Sequence, residues 1–193
     1  MERNSGLSAL EASRLRASER CCELFMARGT TELTVAEITA VIDVPPRTFH
    51  RYFPSKAECV APLFDWITRR FDEPIVSAPA ELPIAELLRA AYRAGLGGEA
   101  ATRTRTLFPL VFQDDAMWSV FLRKVHAGER ALGPALAPRL GLDPESIAAR
   151  TAAAAVASAT RLALEAMVTR GAEPEETYME IVDAFASGAF RRG

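Results

Sequence analysis

Apolar residues recur three and four apart along nearly the whole chain, and no segment shows a convincing alternation of period two. The pattern predicts an all-α protein of about nine helices. Ser8 and Glu11 form a capping box that opens the first helix, and Gly29 ends it. Thr34 and Glu37 form a second box, with Val35, Ile38 and Ile42 on one face of the helix that follows. Asp43 stands where the chain must turn, and Asp accepts the left-handed conformation better than most residues. Pro46 suits the first position of a third helix, which is only about two turns long because Pro54 disfavours helix at Phe53. Ser55 and Glu58 are a further box, so a fourth helix is expected to about Asp72, kinked at Pro62. A Pro-punctuated linker, Pro74 to Pro83, comes next. A fifth helix carries Ile84, Leu87, Leu88, Ala91 and Leu96. The sixth, from about Glu99 to Gln113, is broken by Pro109; the seventh starts near Asp114 and weakens at Gly133 and Pro134. The eighth, capped by Asp143, runs from about Pro144 to Arg170, and the ninth from Pro174 to near Phe190.

The stretch from Leu33 to Lys56 carries the most specific chemistry. Two helices are joined by about four residues, and the second is short and studded with polar groups. Val44, Phe49 and Phe53 supply its buried side. Arg47 and His50 lie three apart and point together. Arginine pairs with the acceptor edge of guanine, and histidine can donate or accept. Thr48, Tyr52 and Lys56 suit phosphates, Lys56 standing at the start of the next helix, where anions are favoured. With Thr34, Pro46 and Arg51 these residues form the expected DNA contact set of a helix-turn-helix reader.

This segment resembles the amino-terminal domain of TetR-family (TetR/AcrR-like) transcriptional regulators. The family's Leu-Phe-x-x-x-Gly is met by Leu24, Phe25 and Gly29, and its Thr-Val-x-x-Ile by Thr34, Val35 and Ile38. Its closing Thr-(Leu/Phe)-Tyr-x-(His/Tyr)-Phe-x-(Ser/Asn)-Lys is met by the run from Thr48 to Lys56. Four positions depart from it: Asp43 replaces the turn glycine, Pro45 the capping serine, Thr30 an aromatic, and His50 the tyrosine that typically touches DNA. The resemblance covers the first quarter of the chain. It implies a three-helix DNA-binding domain, residues 1–54, followed by a helical effector-binding and dimerisation domain, residues 55–193.

Composition narrows the class. The 193 residues carry a net charge of −2, which excludes a nonspecific nucleic-acid coat that works by bulk cation density. Near the reader, Arg28, Arg47, Arg51 and Lys56 face Glu32, Glu37 and Asp43, a modest local balance that predicts strong salt sensitivity. Cys21, Cys22 and Cys59 fit no metal spacing and read as inert thiols, Cys21 sharing the apolar register of Ala17, Leu24 and Phe25. No metal or cofactor is expected. The histidines His50 and His126 accompany no nucleophile motif, and there is no Gly-rich phosphate loop, so the chain does not read as an enzyme. The amino terminus has no secretory apolar core, and the Ala-rich stretch Ala152 to Ala159 is too short to span a bilayer, so no membrane is expected and a cytoplasmic place is.

The carboxy-terminal half predicts two further properties. The eighth helix is small or apolar nearly all round, and the ninth bears a full stripe of Tyr178, Ile181, Val182, Phe185, Ala186 and Ala189. Together with Val156, Ala159 and Ala163 these surfaces point to a homodimer closed as a four-helix bundle, which the family resemblance also implies. Two-fold symmetry presents two recognition helices to successive major grooves, so the operator is expected to be palindromic. Aromatics at Phe64, Trp66, Phe108, Phe112, Trp118 and Phe121, with Arg161, suggest an apolar effector pocket; Gln113, His126 and Thr160 are further polar groups for its wall. The resemblance implies that an effector fills the second domain, displaces the fourth helix and changes the spacing of the readers; the expected kink at Pro62 is where that motion would be steered. Aromatics at helical spacing also serve as plain core. The alternative function is a DNA-binding activator or architectural protein without an effector.

Overall fold

The computed structural model describes residues 7–188. Among these it is all-helical: α1 (Ala9–Arg28), α2 (Val35–Ile42), α3 (Pro46–Tyr52), α4 (Ala61–Ser77), α5 (Ile84–Gly95), α6 (Ala101–Gln113), α7 (Asp115–Leu140), α8 (Ile147–Arg170) and α9 (Pro174–Ala186). Short 3₁₀ turns at Ala57–Val60 and Gly98–Ala100 precede α4 and α6. The expected residue Ala189 and the expected helix end at Phe190 lie outside the described residues.

The chain divides into two compact units, one of residues 1–66 with 109–124, the other of 67–108 with 125–193. In the first, the capping boxes at Ser8 and Thr34 both form, and Gly29 ends α1 with φ +64°. Leu15, Cys21, Leu24, Phe25, Ile38 and Ile42 make its core. The start of α4 differs from expectation. Ser55 accepts only a long bond from Glu58 N–H, 3.4 Å, and the chain makes a 3₁₀ turn before α4 begins at Ala61. Pro62 therefore falls in the first turn of α4, where its missing N–H costs nothing and no kink is needed. The buried hydroxyl of Ser18 accepts from Leu63 N–H at 3.2 Å, capping that turn from α1.

Three helices run through prolines, although the sequence predicts a break or weakening at Pro74, Pro109 and Pro134. α4 continues through Pro74 to Ser77, α6 through Pro109, and α7 through Pro134 and Pro138. Burial of Leu107, Phe108 and Val111 on α6, and of Leu132, Leu136 and Ala137 on α7, outweighs the lost backbone bonds. The Arg139 guanidinium donates to the carbonyls of Pro79 (2.6 Å), Ile75 (3.2 Å) and Ala78, satisfying the last turn of α4 and the chain beyond it. Ser146, rather than Asp143, caps α8.

α8 packs along α9. It is long and apolar enough by length and composition to cross a membrane, unlike the shorter Ala-rich stretch within it, yet 44% of its most apolar window is buried inside the protein. At the head of α9, Glu175 accepts from Arg93 (2.8 Å) and Arg89 (3.1 Å), and Glu173 accepts from Arg105 (2.6 Å). The Arg93 bond holds the Glu175 carboxyl below its ordinary range.

Burial pushes the Asp72 carboxyl on α4 up from 3.8 to about 6. A carboxyl that binds its proton more tightly when folded loses stability as pH rises from the unfolded value to the folded one. Water still reaches this side chain, so the cost of the charge above pH 6 is about 1 kcal/mol, well below the full linkage energy. Asp72→Asn is expected to gain about that much stability in denaturant titrations at pH 7.5 and nothing near pH 4.

Candidate nucleic-acid interface

The geometry of the helix-turn-helix follows from a few local choices. The Thr34 hydroxyl accepts from Glu37 N–H at 3.2 Å and donates to the Glu37 carboxylate at 2.7 Å. That carboxylate also accepts from Thr34 N–H at 2.7 Å, and these bonds hold it below its ordinary pKa. α2 ends at Asp43, which takes φ +53° and ψ +48°. It is the one non-glycine residue with positive φ among those described, and it stands where the turn requires the left-handed conformation. Pro46 opens α3 at its first position; Pro45, with no side chain able to cap, accepts Phe49 N–H with its carbonyl at 2.9 Å.

α3 is divided cleanly by environment. Phe49 and Phe53 are fully buried, their rings edge-to-face at 5.0 Å. Pro46, Arg47, His50 and Arg51 are exposed, and Thr48 and Tyr52 are half-buried at the margins. The Arg51 guanidinium lies over the Tyr52 ring at 5.5 Å. Lys56 is in a different situation. Its ammonium donates to the Thr31 carbonyl at 2.9 Å and stands 4.0 Å from the Asp114 carboxylate. Thr34 likewise has its hydroxyl occupied in the cap. The helix thus presents two arginines and a histidine outward on a base held by two phenylalanines, the arrangement a major-groove reader needs.

Residues 20–63 match the family described as bacterial regulatory proteins, tetR family. The chain is also 30% identical, over 129 residues, to the HTH-type transcriptional regulator TcmR of Streptomyces glaucescens. That alignment takes in 63% of this chain and 57% of the relative, so the chain spans little more than half the relative's length.

Residues 20–63 are thus similar to the amino-terminal domain of the tetR family of bacterial regulatory proteins.

Beyond this domain the other expected site residues are distributed unevenly. Phe64, Trp66, Phe112, Trp118 and Phe121 fall in the first unit, with the helix-turn-helix, whereas Phe108 and Arg161 fall in the second. Phe64 meets Phe121 edge-on at 5.5 Å, Trp118 lies 4.8 Å from Phe121, and Phe112 meets Trp118 at 5.0 Å. Among these rings Phe64 and Phe121 are buried, and Phe112 and Trp118 are half-buried. Arg161 pairs with Glu165 at 2.6 Å, Gln113 and His126 are exposed, and the Thr160 hydroxyl donates to Val156 O. Of the residues expected at a dimer interface, Val156, Ala159, Ala163 and Tyr178 are already covered by their own chain. Ile181 and Val182 are half-buried and Phe185 is exposed. Within the apolar stripe of α9, Tyr178 packs inward, whereas Phe185 and Ala186 remain exposed.

Periodicity placed Tyr178 on the α9 stripe but gave no role to Tyr92. Tyr92 on α5 stacks on Tyr178 of α9 at 4.7 Å and 26°, and Phe71 meets Tyr178 edge-on. Both hydroxyls are buried without a hydrogen-bond partner, and burial raises both phenols above their ordinary range. Tyr92 shares the inward register of Leu88 and Ala91, and a tyrosine at such a position needs a polar partner. The cysteines behave as expected: all three are buried, and hydrogen bonding to Cys21 together with burial raises the Cys59 thiol, keeping it protonated and unreactive.

The left-handed turn residue offers a check on the local argument. Asp43→Ala is expected to lower stability by about 1 kcal/mol in thermal melts, because alanine tolerates positive φ poorly, whereas Asp43→Gly is expected to cost less.

Proposed function

We propose that the protein is a transcriptional regulator that reads double-stranded DNA as a homodimer, acting as a repressor released from a palindromic operator by a small hydrophobic effector. The observation that carries the reading is the division of α3, with Phe49 fully buried while Arg47, His50 and Arg51 stand exposed. Arg47 and His50 read base edges, and Arg51, Thr48 and Tyr52 hold the backbone. Thr34 and Pro46, at the starts of α2 and α3, approach phosphates through the helix ends. The reader is residues 1–54 and the remainder, 55–193, serves effector binding and pairing. The function involves no enzymatic step, and its place is the cytoplasm.

Pairing uses the surface of α8 and α9 that the monomer leaves uncovered. Leu162 and Phe185 are exposed at 37% and 40%, and Ala154, Ala155, Ser158 and Ile181 lie partly open beside them. Small residues there let a second copy of each helix approach closely. Two readers then reach successive major grooves about 34–36 Å apart.

The effector reading rests on Tyr92 and Tyr178. Each buried hydroxyl left without a partner costs about 1–3 kcal/mol, and a ligand bearing hydrogen-bond acceptors relieves that cost when it binds. An effector shifts the protein only if it prefers the DNA-incompetent arrangement.

Selection from a random duplex pool is expected to recover a two-fold symmetric sequence; recovery of no consensus would sink the reading. Arg47→Ala is expected to cost about 1–3 kcal/mol of affinity for that duplex and to relax preference at one position per half-site. Tyr92→Phe and Tyr178→Phe are expected to raise the melting temperature while blunting ligand-dependent release from DNA, measured across a panel of apolar carbonyl compounds. Higher melting with release unchanged would remove the tyrosines from the effector site.

A further inference from the structure

Lys56 lies four residues past the end of the recognition helix, and its surroundings are those of a structural clasp. Its Nζ donates to the Thr31 carbonyl at 2.9 Å, and that same oxygen accepts Leu33 N–H at 2.8 Å. Thr31 is buried in the loop that leads into α2. On the other side stands Asp114, whose Oδ2 is 4.0 Å from the ammonium and whose Oδ1 accepts Met117 N–H at 3.0 Å, capping α7. The Lys56 side chain retains 33% of its exposure and that of Asp114 only 16%. Two more ion pairs run alongside within the same unit. Arg123 pairs with Glu58, and Lys124 pairs with Asp65 at 2.8 Å. Beneath them Phe64 and Phe121 are in contact, and Met117 and Val120 are buried. The first part of α7 therefore backs the whole segment that follows α3.

We propose that Lys56 is a positioning residue for the recognition helix, joining the loop before α2, the turn after α3 and the start of α7 through Thr31 and Asp114, and is not principally a phosphate contact. The proposal rests on the reading of α3 as the DNA-reading helix. An ammonium has three protons. One goes to the Thr31 carbonyl, and the Asp114 carboxylate 4.0 Å away offsets part of the ammonium's charge, so the group is engaged in holding three segments together. α3 has only two turns and no side-chain cap at its start, so its orientation depends on what anchors the chain at both ends.

Positioning and phosphate contact predict opposite signs at Asp114. If Lys56 gripped a phosphate, removing the neighbouring carboxylate would free the ammonium and tighten DNA binding. If Lys56 positions the helix, the same change loosens the anchor and weakens binding. Asp114→Asn is the informative substitution, because asparagine caps a helix as well as aspartate does. For the full-length protein and the duplex recovered by selection, Asp114→Asn and Lys56→Met are each expected to weaken binding about three- to tenfold, the scale of one partly exposed ion pair. The slope of log affinity against log salt is expected to stay unchanged, and the double variant to be no weaker than the worse single one. Hydrogen exchange without DNA supplies the second readout: amides at residues 31–33 are expected to exchange faster in both variants. Tighter binding by Asp114→Asn, or a salt slope reduced by about one unit in Lys56→Met, would overturn the proposal. If the wild-type protein selects no duplex, the DNA reading itself fails. Exchange then decides alone: unchanged protection at 31–33 overturns the clasp, and lost protection upholds it.

Discussion

A helix of seven residues does not hold its shape alone in water, because so few hydrogen bonds cannot repay the cost of starting it. Everything that α3 does depends on Phe49 and Phe53 being driven out of water, with α3 packed on α2. Burial of these two rings, each worth a few kcal/mol, supplies what the helix lacks in length. It also fixes rotation. With the phenylalanines inward, Arg47, His50 and Arg51 have nowhere to point but out. The chemical surface of the reader is thus a by-product of its core.

The same reasoning explains why so much of the first unit is devoted to the ends of α3. Before it, Asp43 takes a backbone conformation that few side chains accept, setting the direction in which the chain re-enters helix. After it, Ser18 caps the start of α4 from within the core, and Lys56 ties the turn to Thr31 and Asp114. Residues 109–124 join this unit although the chain places them far away, because Met117, Val120 and Phe121 bury against it and three ion pairs line its edge.

The second unit is organised by different means. Two of its helices continue through prolines flanked by buried side chains, Pro74 between Phe71 and Ile75 and Pro134 between Leu132 and Leu136. Arginines at positions 89, 93, 105 and 139 tie helix ends and loops together at the surface. Against that exterior, the hydroxyls of Tyr92 and Tyr178 are buried without a hydrogen-bond partner.

Elements set by neighbours in the chain were legible from the sequence. Capping boxes, the left-handed turn at Asp43, Pro46 at a helix start and the split of α3 into apolar and polar faces all depend on residues within a turn or two of one another. The TetR-family character of the amino-terminal domain is written in that same local pattern. What tertiary structure alone decided was every outcome in which a distant group supplies the missing partner. Pro74, Pro109 and Pro134 read as breaks, but packing carried the helices through them. Pro62 read as a kink, but the 3₁₀ turn before it placed it where no N–H was required. Lys56 read as a phosphate contact, and the fold brings Thr31 and Asp114 within its reach; Tyr178 read as part of a partner surface, and the fold covers it with Tyr92 and Phe71 while leaving Phe185 exposed. Local spacing states what a residue needs; only the folded chain shows whether something else in the molecule already provides it.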